Sequence, residues 1–357
     1  MFSSKLIALS ATAANRLPLF SRNMEDLETE EVSPADEGYQ PPVFIQPDDL
    51  EKVTATEPQT TWQKERERLA GGVRYHRATR RHLVRNALST PHGVMAVTGK
   101  WQGFGRLPWK EFLSLDLPRH KTGLYGAYPV TRRYFGHFIS DALPAGELLR
   151  PGETLLLPHD PGWIHAGEYV GLMGYSPLVP AYGHFDSIWI CDDRGLNQGH
   201  VARVRAMHDR LQAQLKPSSH QGVFMRRGRS GSARILLNED EVAEALQGRG
   251  FGVVSSTDPL QVILAAMAGV QTVVSMEGSQ WVHGHFGAAK GALLVTINPA
   301  DRFNNPAAEI VPVLSQRMAT IVAPREGEGY RVDVARLLAL IDRSHDAMIG
   351  EGNLSQL

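Results

Sequence analysis

The chain has 357 residues, 42% of them hydrophobic, and a formal net charge of −1. That length allows two ordinary domains with a large core, and the near-zero charge gives no global attraction to nucleic acid or to an anionic membrane. The single cysteine, Cys191, excludes an intramolecular disulfide framework and a multi-cysteine metal site. It follows the strand-like Ile188-Trp189-Ile190 and reads as core packing rather than as a nucleophile.

In chain order, residues 1–60 read as a disordered or extended tail. The first 23 residues carry Lys5, Arg16 and Arg22 and no acid. Their apolar stretch, 6–14, is interrupted by Ser and Thr and makes a poor signal peptide. Residues 25–51 hold ten acids and no Lys or Arg before Lys52. Bases then dominate 66–85. This contrast reads as an acidic tail followed by a solvated helix over 62–88, broken at Gly71-Gly72. Residues 94–101 alternate like a strand. Further strands are expected at 154–158, 178–180 and 187–191, with a short helix closing at 169–174. Val201, Val204, Met207, Leu211 and Leu215 recur at helical spacing. Lys216-Pro217-Ser218-Ser219 then breaks the chain and marks a domain boundary.

From there strand and helix alternate. Strands are expected at 222–225, 251–255, 272–275 and 292–297. Helices are expected at 238–247, 258–268 and 279–286, with Asn238 and Asp258 as N-caps and Pro259 in a first turn. A last helix covers 332–348. This order specifies an α/β fold with a parallel sheet covered on both faces. No run of roughly 18 apolar residues occurs, so no membrane span is expected.

Two groups of residues suggest chemistry. Ligands of a parallel sheet bind outside the carboxyl ends of its strands. The arginine loop Met225-Arg226-Arg227-Gly228-Arg229-Ser230-Gly231-Ser232-Ala233-Arg234 follows one such strand, and the turn Glu277-Gly278-Ser279 follows another. Arginine supplies fixed, bidentate positive charge. A glycine turn opening a helix supplies close backbone and free N–H groups. Together they suit a diphosphate. Glu277 is an awkward neighbour for phosphate; it fits as an acceptor for sugar hydroxyls or as a helix cap. In the first half, Gly136-His137-Phe138-Ile139-Ser140-Asp141 spaces an imidazole and a carboxylate four residues apart. On a helix they share a face, an arrangement suited to taking a proton near neutral pH. His283 and His285 are spaced like a metal pair on a strand. They lack a third ligand at a convincing spacing, and the chain has no Asp-x-Asp platform, so no metal is expected.

These segments, taken together, resemble glycosyltransferase family 61. Gly136 to Asp141, followed by Ala142-Leu143-Pro144, is similar to the family's His…Asp-x-Leu-Pro region. Met225-Arg226-Arg227 and Arg234-Ile235-Leu236-Leu237-Asn238-Glu239 resemble its arginine and Asn-Glu segments. Gly250-Phe251-Gly252-Val253-Val254, Gln261 and Val273-Val274-Ser275-Met276-Glu277-Gly278-Ser279 follow in the family's order. The chain departs from the pattern at Glu277, where the family has histidine, at Ser279, and around His283, where an asparagine is usual.

The resemblance implies a GT-B-like fold, two Rossmann-like domains facing across a cleft. An acceptor-side domain is expected over 61–215, a nucleotide-sugar domain over 219–315, and a strand and helix over 316–357 packing back on them. It implies an inverting, metal-independent hexosyl- or pentosyltransferase. The enzyme would move sugar from a nucleoside-diphosphate sugar to a hydroxyl of a glycan, in cytoplasmic synthesis of a cell-envelope polysaccharide such as a capsule. Asp141 or His137 would be the base. Arg226, Arg227, Arg234, Asn238, Glu277, Gly278, Ser279 and His283 would face the donor. No cofactor, no nucleic acid and no membrane span are expected; peripheral membrane association and oligomeric state stay open. The rival readings are a non-catalytic nucleotide- or glycan-binding protein of the same fold, and a GT-B-type epimerase or phosphorylase.

Overall fold

The computed structural model describes residues 3–14, 23–103, 106–108, 110–111, 117–228 and 234–354. Arg229 and the rest of the loop to Ala233 lie outside the described residues. The chain divides into two compact units: Met1–Glu37 with Tyr75–Met207, and Gly38–Arg74 with His208–Leu357.

The first unit is built on a mixed sheet of seven strands. They are β1 (Glu28–Ser33), β2 (Thr79–Thr90), β3 (Gly93–Ala96), β4 (Gly99–Trp101), β5 (Arg119–Tyr125), β6 (Glu153–Leu156) and β7 (Gly183–Asp192). The path runs β4-β3-β2-β7-β5-β6, with β1 added beside β2. β2 is antiparallel to β1, β3 and β7, whereas β5 is parallel to both β6 and β7. Only this last trio has the parallel pattern expected of a Rossmann-like domain.

Two stretches differ from the sequence reading. Residues 79–88, expected within a helix, lie in the central strand β2. The helix Trp62–Ala70 stops at Gly71, whose φ is +65° and where a Cβ would meet the Gln40 carbonyl oxygen at 2.4 Å. Residues 28–33, expected in a disordered tail, form β1. The two strands carry opposite charge, and Glu28 bonds Arg85 at 2.6 Å and Glu31 bonds Arg80 at 3.4 Å across the pairing, while Glu30 bonds Arg150 at 2.9 Å. The helix Ser4–Ala14 buries Ile7, Ala8 and Ala11 against Leu88 and Met95. Residues 178–180, expected as a strand, lie in a loop. Cys191 is buried in β7, and burial pushes its thiol well above the ordinary range, which leaves it inert.

The second unit follows the alternating pattern closely. Its main sheet has five strands, β8 (Gly222–Arg226), β9 (Phe251–Ser255), β10 (Thr272–Met276), β11 (Leu293–Pro299) and β12 (Arg317–Ala323). All are parallel, in the order β9-β8-β10-β11-β12. Alternate residues of β8 face opposite cores, as strand geometry requires. Val223 and Met225 pack with Ile263 and Met267 of the helix Leu260–Met267. Phe224 packs with Val242 and Leu246 of the helix Glu239–Gln247 and with Leu337 and Leu340 of the helix Val334–Leu354. Each such buried side chain contributes roughly 1.5–3 kcal/mol. Both faces are therefore covered, which is how a parallel sheet is stabilised. Residues 43–57 belong to this unit: Phe44 N donates to Met318 O and Phe44 O accepts from Thr320 N, each at 2.9 Å. Among the described residues no helix is long and apolar enough to cross a membrane.

Candidate functional site

In each unit the strand order reverses at a point that lies beside the candidate residues. In the second unit the chain passes from β8 to β9 on one side and then to β10 on the other. The carboxyl ends of β8 and β10 therefore form a topological switch point, where open α/β sheets bind ligands. Arg226 ends β8 and Arg227 follows it; Glu277 and Gly278 follow β10.

These residues converge. Arg227 Nη1 donates to Gln280 Oε1 at 2.6 Å and to the Glu277 carbonyl oxygen at 3.3 Å. Arg234 Nη1 donates to the same carbonyl at 2.8 Å and pairs with the Glu277 carboxylate. Gln280 is held in turn by Ser275 and Met276. Gly278 has φ +149°, and a Cβ there would lie 1.8 Å from Arg227 Nη1. Glycine is thus what lets the guanidinium reach the turn. All three charged groups are buried. Burial, then the charge of Arg234, pulls Arg227 down to about 10. Burial pushes the Glu277 carboxyl above its ordinary range, against the opposing pull of Arg234, Arg227 and Arg302. Beside them is a small pocket lined by Glu277, Gly278, Trp281, Asn304, Asn305 and Pro306 among others. Fixed guanidinium groups bonded to the Glu277-Gly278 turn that lines this pocket can neutralise an anion or a charge developing on one.

The other donor-side candidates sit apart from this cluster. Arg226 pairs with Asp240 at 2.6 Å. Asn238 precedes its helix without capping it; its side chain bonds the Val332 backbone at 2.9 and 3.2 Å and Glu241 at 3.1 Å. Ser279 is half-buried next to Gly278. His283 is buried in the helix Trp281–Gly287, as is His285, whose Nδ1 is 2.7 Å from Gln316 Oε1. On a helix their i,i+2 spacing does not share a face. Among the described residues no group of three His, Cys, Asp or Glu is placed to hold a metal ion.

In the first unit the chain runs from β5 to β6 on one side and returns to β7 on the other, so the carboxyl ends of β5 and β7 form a second switch point. The helix Phe135–His137 continues as a π-turn over Phe138–Ala142 and a 3₁₀ turn over Leu143–Leu148. Wide turns of this kind are frequent at functional sites. His137 Nδ1 lies 2.7 Å from Asp141 Oδ2. The same oxygen accepts from Tyr128 Oη at 2.9 Å, and Ser140 Oγ donates to Asp141 Oδ1. Burial favours a neutral Asp141, but His137 and Ser140 outweigh it and hold the carboxyl below the ordinary range. An ionised carboxylate has no proton to give, so Nδ1 is the donor and the far nitrogen of the ring is the basic one. Burial, then the Asp141 charge, pushes the Tyr128 phenol well up, so it stays a donor.

Sequence reasoning paired His137 with Asp141 and set the arginine loop beside the Glu277-Gly278-Ser279 turn, but it did not foresee the Arg234–Glu277 ion pair. It missed Tyr128, Gln280 and Arg302. Tyr128 follows β5, a strand whose polar start, Arg119-His120-Lys121-Thr122, hides it. Gln280 and Arg302 carried no spacing signal. Also missed was the buried set behind the His–Asp pair: Asp193 accepts from Thr79 at 2.6 Å, pairs with Arg203 at 2.5 Å and lies 3.1 Å from His200.

Residues 135–295 match the Glycosyltransferase 61 family model. This region is that of glycosyltransferase family 61. No curated protein matches the chain. The family 61 region takes in all ten residues singled out from the sequence, from His137 to His283, and stops short of Tyr128 and Arg302. Its span covers parts of both units, so the His–Asp pair of the first and the arginine–Glu277 cluster of the second belong to one family pattern.

Proposed function

We propose that the protein is a GT-B-type, inverting glycosyltransferase that moves a sugar from a nucleoside-diphosphate sugar to a hydroxyl of a glycan. The observation that carries this reading is the convergence of Arg227 and Arg234 on the Glu277-Gly278 turn, at a switch point and beside a small pocket. In this reading the diphosphate of the donor meets Arg227, Arg234 and the Gly278-Ser279 backbone. These cations stand where a metal ion would otherwise neutralise the leaving group, which supports a metal-independent transfer.

His137 is the base in this proposal, and Asp141 is its positioning partner. Asp141 is already committed to three donors and is held ionised by them, which makes it a weak base. His137 keeps a third of its side chain exposed. The acceptor oxygen gives its proton to His137 and bonds to the anomeric carbon. The bond from that carbon to the diphosphate oxygen breaks, and its electron pair leaves with the nucleoside diphosphate. Attack opposite the leaving group inverts the anomeric centre.

His137→Ala is expected to lower kcat by about 10²–10⁴ while leaving UDP or GDP affinity unchanged. Asp141→Asn should also lower kcat and move the acid limb of the kcat/KM profile to lower pH, because the imidazole loses a stabilising negative charge. The folded protein holds Asp141 below its unfolded value, so its stability contribution is present above that value and lost as pH falls through the folded one. The Asn variant should lack this acid-side loss. Retained turnover in His137→Ala, measured with a matched donor and acceptor, would remove His137 from the reaction.

A further inference from the structure

The arginine site already contains an anion. Glu277 is buried against Arg234, and its carboxylate also feels Arg227 and Arg302. Glu57 is the remaining acid that faces it, and Glu57 is paired with Arg302 at 3.3 Å. Three guanidinium groups and two carboxylates leave one net positive charge here. A diphosphate carries more negative charge than that, and would lie beside a buried carboxylate of the same sign.

The carboxylate, which pairs with Arg234, is not the only group that holds the arginines. Arg227 is fixed by Gln280 Oε1 and the Glu277 carbonyl oxygen, and Arg234 by that same carbonyl at 2.8 Å. Both anchors would survive if the side chain lost its charge. Arg234 Nε is also buried without a hydrogen-bond partner among the described residues, a donor whose desolvation no hydrogen bond from them repays. The site thus has donor capacity in reserve and a carboxylate whose evident effect is to balance charge.

We propose that Glu277 is a resident counter-ion of the arginine site, occupying it electrostatically until a diphosphate enters and then taking up a proton from solvent. This deepens the donor-site reading above and rests on it. The entering anion raises the energy of the Glu277 carboxylate by like-charge repulsion and competes for Arg234. The protonated acid relieves the repulsion and becomes a donor toward a phosphate or sugar oxygen. Burial already biases Glu277 toward the neutral form, the direction the uptake requires. Binding therefore tightens as pH falls, over the window in which the free protein carries Glu277 ionised.

The test is calorimetric titration of inorganic pyrophosphate into wild type and Glu277→Gln, at neutral pH, in buffers of different ionisation enthalpy. The amide keeps the shape of the acid and removes its charge. The expected result is binding about tenfold tighter in Glu277→Gln, one pK unit of interaction being tenfold in affinity. Wild type should also take up more protons on binding than the variant, a difference that cancels the protonation of pyrophosphate itself. Equal or weaker binding in Glu277→Gln, or equal proton uptake, would overturn the counter-ion role while leaving the donor site in place. Should the variant fail to fold, the wild-type proton uptake alone decides: uptake beyond that of pyrophosphate supports the role, and its absence overturns it. If wild type binds no pyrophosphate at all, the donor-site reading falls, and this inference with it.

Discussion

Gly278 shows most clearly how one residue sets this site. At φ +149° it occupies backbone space that side chains avoid, and a Cβ would lie 1.8 Å from Arg227 Nη1. Gly278→Ala must therefore either strain the turn or expel the guanidinium, at about 1–3 kcal/mol. The expected outcome is a lower melting temperature together with a loss of pyrophosphate affinity as large as that of Arg227→Ala. A Gly278→Ala variant that melts and binds like wild type would show that Arg227 does not sit against the turn. Glu277 illustrates the opposite case, a residue whose type looked wrong for phosphate in the sequence and whose surroundings supply a reason for it. Of its neighbours, Arg227 and Arg234 follow β8 and Arg302 follows β11, whereas Glu277 follows β10, so nothing in the local sequence shows that they meet.

At the scale of elements, legibility followed periodicity. The second unit was readable because β8 to β12 are short buried runs separated by helices, each with its own turn signal, as in Gly250 before β9 and Asp258-Pro259 before the helix Leu260–Met267. The first unit was not. β2 carries Arg80, Arg81 and Arg85 and looks like a solvated helix until β1 brings Glu28 and Glu31 alongside. Charge complementarity across fifty residues has no local signature. The His137–Asp141 pair was legible because its four-residue spacing works on any helical turn. Tyr128 was not, because it depends on β5 being a strand. The segment 43–57, expected in a tail, is likewise part of the second unit: Val43, Ile45, Leu50 and Val53 join its core, and buried Asp49 pairs with Arg336 at 2.8 Å. Deleting residues 1–60 should therefore prevent the folding of the rest. Buried Val43 is worth roughly 1.5–3 kcal/mol and partly buried Ile45, Leu50 and Val53 add smaller amounts, against a total stability of about 5–15 kcal/mol. Soluble expression and thermal unfolding of residues 61–357 check this; an unchanged melting temperature would mean that the segment is an accessory tail.

At the scale of the whole molecule, two units of different sheet topology each place polar groups at the carboxyl ends of parallel strands. The family 61 region spans both. The proposal divides the work between them: proton removal by His137 in the first, diphosphate binding by Arg227 and Arg234 in the second. Binding and chemistry should then respond to different residues. The measurement that tests this most directly is calorimetric titration of UDP and GDP into wild type, Arg227→Ala and His137→Ala, in the presence of a metal chelator. The account predicts that wild type and His137→Ala bind one of the two nucleotides equally well, and that Arg227→Ala binds it at least about tenfold more weakly, a loss of about 1.4 kcal/mol. Undiminished binding by Arg227→Ala, or binding that appears only when a divalent ion is restored, would contradict it.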